Sequence, residues 1–220
     1  MSWTSRGMIV LAGVLLLTAH QGCRRREAPR RELTEEALTG GQLIFKDDFE
    51  RDEIGDQWIV RAPTWTIEDG WLHDTKARNE GAWLDLELPD RVRIEFDARS
   101  EIPSEGAFRG DIKCEVFATE PDHEKGYVLI FGGWQNALNV VARLDEHGAD
   151  RLEMRGRKVV AGQTYRFTIV RTDGVLHWLI DGKPFMRYED PDPVRGRYFG
   201  FNNWESKIYF DNLRIFELGR

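Results

Sequence analysis

Val92-Arg93-Ile94-Glu95-Phe96-Asp97-Ala98-Arg99 sets the fold class of this chain. Val92, Ile94, Phe96 and Ala98 alternate with Arg93, Glu95, Asp97 and Arg99. A period of two puts one set against a core and the other toward water, as in a half-buried strand. A helix would space its apolar residues three and four apart. Arg93 and Arg99 on the charged face read as neutralisation of a solvated surface. The same alternation recurs further along the chain. Ile112, Cys114 and Val116 oppose Asp111, Lys113 and Glu115; Leu138, Val140, Ala142 and Leu144 oppose Asn139, Arg143 and Asp145. Between such runs stand turn signals: Glu68-Asp69-Gly70, Asn79-Glu80-Gly81, Thr172-Asp173-Gly174 and Asp181-Gly182. About fourteen short strands at hairpin spacing, with no alternation of strand and helix, predict an all-β fold. That leaves a sandwich or a barrel as the expected class.

The ends read differently. Arg6 followed by the apolar run Met8–Ala19 is too short to span roughly 30 Å of hydrocarbon and matches a signal peptide over residues 1–22. Gly22-Cys23 closes that run in the manner of a bacterial lipobox, making Cys23 the expected lipidation site. His20 and Gln21 depart from the usual pattern, and plain secretion with Cys23 as a stray thiol is the other reading. Residues 23–41 read as a flexible tether, basic then acidic, with a transient helix over Glu32–Leu38. The expectation is therefore an exported lipoprotein of the cell envelope, anchored to a membrane by lipid, with its folded domain at 42–218. Cys114, the second cysteine, reads as a small buried hydrophobe. Removing Arg6, the five arginines between 24 and 31, Glu27 and Glu32 from the totals of 31 basic and 38 acidic residues leaves 25 against 36. A domain so acidic repels polyanions, which excludes nucleic acid as a partner.

Several motifs carry a family resemblance. Ile44-Phe45-Lys46-Asp47-Asp48-Phe49, Trp58, and Trp65-Thr66-Ile67-Glu68-Asp69-Gly70-Trp71-Leu72 resemble the entry strands of concanavalin A-like lectin and glucanase domains. They are similar in particular to the glucanase-related domain known as 3-keto-disaccharide hydrolase. Leu176–Lys183, Phe199-Gly200-Phe201 and Ile208–Leu213 resemble the closing strands. The resemblance implies an antiparallel two-sheet β-sandwich, a jelly roll, over most of residues 43–217, and lectins, hydrolases, lyases and adhesion modules share it. It also implies a structural calcium on the convex face, with Asp211 as a side-chain ligand, Gly70 supplying a carbonyl and Asp48 assisting. Oxygen ligands suit that ion. No other cofactor is expected.

Two constellations could carry chemistry. Glu95-Phe96-Asp97-Ala98-Arg99-Ser100-Glu101 approaches the glucanase carboxylate motif, but Arg and Ser stand where its acid belongs. The second is a groove with a floor of Glu115, Arg143 and Asp145, ringed by Trp134, Asn136, His147, Asn203 and Trp204. Indole faces suit sugar CH groups, while Asn, Asp and Arg suit hydroxyls. The same residues have plainer readings as a solvated sheet, a hairpin turn at His147-Gly148 and packing tryptophans. Carbohydrate binding is the expected function. Glycan hydrolysis (3-keto-glycoside hydrolase-like) or lysis, and a protein-interaction role in the envelope, are the alternatives.

Overall fold

The structure, a computed structural model, describes Met1 and residues 32–219. The signal segment after Met1, Cys23 and the tether arginines lie outside the described residues, and the folded unit begins at Glu32. Fifteen strands form two antiparallel sheets, as the alternation predicted. In chain order they are β1 (Gln42–Asp47), β2 (Trp58–Val60), β3 (Thr66–Glu68), β4 (Trp71–Asp74) and β5 (Ala82–Asp85). Next come β6 (Val92–Glu101), β7 (Ile112–Ala118), β8 (Tyr127–Gly132), β9 (Leu138–Arg143) and β10 (Leu152–Met154). The chain closes with β11 (Thr164–Thr172), β12 (Val175–Ile180), β13 (Lys183–Glu189), β14 (Tyr198–Asn202) and β15 (Lys207–Glu217).

The first sheet runs β13-β12-β11-β6-β15-β4-β3, with β1 also paired to β15; the second runs β10-β9-β8-β7-β14-β5-β2. The first and last strands therefore meet, Asp47 opposite Leu213. Phe96 of β6 shows how the sheets are joined. Its ring stacks on Phe167 of its own sheet at 4.8 Å and meets Phe201 of the opposite sheet edge-on at 5.1 Å. Burying each such side chain contributes about 1.5–3 kcal/mol. Cys114 lies in this core as a buried free thiol.

Two details depart from the sequence reading. Residues 32–41, read as tether, dock on the first sheet. Thr34 Oγ1 accepts from Ala37 N at 3.2 Å and caps a short helix, α1 (Glu35–Thr39), whose Ala37 packs with Val170 and Leu218. Arg93, read as solvated, is consequently buried. It donates to the Ala37 and Gly40 carbonyls, pairs with Glu95 at 2.7 Å and lies over Phe216.

β7 and β8 are buried at every position, although a sandwich strand ordinarily shows water one face. Ile112, Cys114 and Val116 do face the core. The outer face is covered by the loops after β7 and β9, and that cover shapes the candidate site.

Candidate ligand-binding cleft

Two half-exposed indoles, Trp134 at 38% and Trp204 at 42%, line one cleft of about 330 Å³ at the start of β7. They come from opposite sides of the chain's topology, and each is held by a rigid turn. Trp134 sits in the left-handed turn Gly133–Asn136, where Trp134, Gln135 and Asn136 all have positive φ (49°, 59° and 61°). Such conformations cost about 1–3 kcal/mol each and persist only where the surroundings enforce them. Asn136 supplies that enforcement, donating to Val159 O and accepting from Val159 N, both at 2.8 Å. Gly132 permits the turn: at φ 77° any Cβ would lie 2.5 Å from a Val159 methyl. On the other wall, fully buried Asn203 donates to Asp74 and to Ser206 O and accepts from Ser206 N. That knits the β14–β15 turn and presents Trp204.

The floor is charged and buried. Lys113, 2% exposed, sits on the outer face of β7 and donates from Nζ to Glu146 Oε2 and Asn79 Oδ1, each at 2.8 Å. Asp111, 7% exposed, lies beside it with φ 35° and a carboxyl oxygen, Oδ1, that has no hydrogen-bond partner among the described residues. Arg109 enters the cleft and pairs with Glu205 at 3.2 Å. His147 meets the Trp134 ring edge-on at 5.5 Å, and the Arg151 guanidinium lies 5.0 Å from the centre of that ring. These contacts hold the indole upright.

Behind the floor the charges interlock. His123 Nδ1 is 2.7 Å from Glu115 Oε1, and its Nε2 is 3.7 Å from Glu146 Oε2. Burial drags the His123 pKa down, but Glu115 and Glu146 outweigh it and lift it to about 9. Burial pushes the Glu146 carboxyl up, but His123 and Lys113 outweigh it and bring it to about 2. For Asp111 burial prevails over Lys113 and raises its pKa. Asp111 and Glu146, in one cleft, thus have pKa values shifted in opposite directions.

Several expected site residues do other work. Glu115 shares the face of Lys113 but is fully buried, bonded to His123, Asn202 Nδ2 at 2.6 Å and the Glu124 N–H at 2.9 Å. Arg143 is not on the floor. The core side of β9 carries Val141, while Val140 and Ala142 form the outer cluster, so Arg143 reaches Asp190 at 2.9 Å away from the cleft. Both faces of β9 are apolar, so alternation alone could not orient it. Asp145 caps its turn by accepting from His147 N at 2.8 Å. Asn136 and Asn203 position the tryptophans, as described. Trp134, Trp204 and His147 line the cleft. Glu146, Asn79 and Arg109 were missed, because turn residues meet across the sheet without leaving a local pattern.

The Glu95–Glu101 acids point outward from the other sheet and are tied up. Glu95 pairs with Arg93 and Arg166, Asp97 with Arg166, and Glu101 with Arg99 and Lys207. Asp211 lies on that sheet as well. Its pKa is raised to about 6 by burial and by the Asp97, Glu50 and Asp48 carboxylates. The Glu50 carboxylate in turn stands against Gly70. Among the described residues no three or more His, Cys, Asp or Glu side chains converge to hold a metal.

A family model described as Farnesoic acid O-methyl transferase matches residues 116–214, less than half of the chain. No curated protein matches in sequence. Solved structures match across the sandwich. The exoplasmic/lumenal domain of VIP36, in a Ca2+/Man2-bound form, has a TM-score of 0.62 at 8% identity, covering 80% of this chain and 88% of that one. The carbohydrate binding module CBM66 from Bacillus subtilis gives 0.59 at 15% identity, covering 73% and 96%. A chain from work on mucin-degrading endo-acting O-glycanases of the human gut microbiota gives 0.60 at 14%, covering 81% and 100%. The fold is a concanavalin-type, lectin-like β-sandwich.

Proposed function

We propose that this chain binds a glycan in the cleft between Trp134 and Trp204, as the ligand-binding domain of a lipoprotein anchored to the cell envelope through Cys23. The observation that carries the binding function is the pair itself. Two indoles, fixed by turns that Asn136 and Asn203 brace, face one cleft over a polar floor. Neither exposed ring has a role in the core, Trp134 is held at a conformational cost, and stacking on sugar CH faces gives both a role. The similar structures described as a carbohydrate binding module and a Man2-bound domain support the same reading.

The test is a titration of the protein against a broad glycan panel, repeated with Trp134→Ala and Trp204→Ala. Each truncation should weaken binding by about 1–2 kcal/mol, roughly 5- to 30-fold, with little change in melting temperature. Unchanged affinity in both variants places the site elsewhere.

One observation favours a second reading, glycan hydrolysis of the 3-keto-glycoside hydrolase-like kind. Burial raises the Asp111 pKa, while His123 and Lys113 outweigh burial and lower that of Glu146, and shifts in opposite directions are what acid–base pairs use. Glu146 is held by Lys113, however, and binding needs no such freedom. Product analysis on the ligands found separates the two. Calcium at Asp211, assisted by Asp48 and the Gly70 carbonyl, is a further proposal. It rests on the carboxylates that raise Asp211, whose crowding a hard cation would relieve.

A further inference from the structure

We infer that the cleft receives the terminal residue of a neutral glycan end-on, and that Asp111 Oδ1 is the acceptor for its hydroxyls. The inference rests on the glycan-binding reading and adds to it the part of the ligand that is recognised. It starts from what covers the sheet. A long polysaccharide laid across the outer face of β7 would need Lys113 and Glu115 open in a row. Glu115 is instead roofed by His123 and by the backbone of Glu124. The roof is tied down at both sides: the Glu124 carboxylate accepts from Glu146 N at 2.7 Å, and Pro121 O accepts from Arg61 Nε at 2.8 Å. What stays open is the space ahead of Lys113, at the small end of the range for ligand pockets.

The hydrogen-bonding state of the floor then selects the chemistry. Lys113 is engaged by Glu146 and Asn79, and Arg109 by Glu205. Asp111 is more than nine-tenths buried, and its Oδ1 is a buried side-chain acceptor of this cleft without a partner among the described residues. It is also fixed in place, because Asp111 N donates to Gly132 O at 3.0 Å while its φ is 35°. A buried acceptor left open calls for a donor on the ligand. A sugar hydroxyl supplies one, and the two indoles take the ring's CH faces. A uronate would bring a further carboxylate against the charged Glu146 and Asp111, and is disfavoured.

The experiment is calorimetry of the full chain with gluco-, manno- and fructo-oligosaccharides of one to six residues, and with oligogalacturonates as the acidic arm. At least one neutral series should bind, with affinity constant within about threefold from two residues to six. Asp111→Asn should weaken that series at least about tenfold while melting normally, since Asn tolerates a positive φ. Affinity climbing with every added residue would overturn end recognition and leave glycan binding standing. Tighter binding of the galacturonates, or an undiminished Asp111→Asn, would overturn the role of Asp111. Absence of binding by every series would overturn this inference and, if the broad panel also fails, the proposed function with it. Should Asp111→Asn melt low, the length series on the unaltered chain still decides end recognition, and the galacturonate arm decides the role of Asp111.

Discussion

Replacing Lys113 by Met tests whether the cleft floor is a coupled charge network. Lys113 Nζ lies 2.8 Å from Glu146 Oε2 in a site where the lysine is 2% exposed. Holding Glu146 at about 2 rather than its ordinary 4.5 corresponds to about 3 kcal/mol of preference for the charged form, shared between Lys113 and His123. Met keeps the aliphatic volume but strands Glu146 and Asp111 with one cation fewer. Removing one partner of a buried pair costs about 3–5 kcal/mol; with His123 still present the lower end, about 3, is expected. With a urea slope of about 2 kcal/mol/M, the midpoint should fall by about 1.5 M. Adding Glu146→Gln should recover about 2 kcal/mol of that loss, because the stranded charge is gone. The effect must also depend on pH. Glu146 is depressed on folding, so its contribution is complete above about 4.5 and fades as pH falls toward about 2. The penalty of Lys113→Met should shrink between those values. A loss under about 1 kcal/mol, or strict additivity in the double variant, would refute the coupling.

Three further outcomes follow from the same physics. His123 is raised on folding, so its contribution is complete below about 6.5 and is lost as pH rises through about 9. His123→Gln should therefore destabilise more at pH 6 than at pH 10 in paired denaturant titrations. Asp211, raised to about 6, opposes folding at neutral pH and does so less below its ordinary 3.8. Without calcium Asp211→Asn should stabilise by about 1–2 kcal/mol after allowance for solvent screening. Calcium at a hundredfold over its Kd should add about 2.7 kcal/mol to the unaltered protein and little to the variant; a melting temperature indifferent to calcium and chelator removes the proposed ion. At Cys23, labelled palmitate should mark the wild type and leave Cys23→Ser unlabelled.

Sequence and structure agree where local chemistry decides the outcome. The alternation through Val92–Arg99 placed β6, and the Gly-bearing turns placed its neighbours, because side-chain period and turn conformation depend on adjacent residues. Trp134, Trp204 and His147 were legible as cleft-lining residues from their polar, Gly- or Asn-rich settings. The floor was legible only in part. Asp111 and Lys113 declare their shared face by spacing, yet Glu146 and Asn79 reach Lys113 from turns more than thirty residues away. Arg143 went astray because β9 is apolar on both faces, so period two fixes the alternation but not which side is inward. Arg93 went astray because no strand pattern announces that a helix will cover it.

A crystal structure of the protein with a glycan from the panel tests the central claim most directly. The account predicts a sugar ring between Trp134 and Trp204, its hydroxyls within hydrogen-bond distance of Asp111 Oδ1. A sugar bound on the outer face of the other sheet, with the cleft holding only solvent, would contradict it.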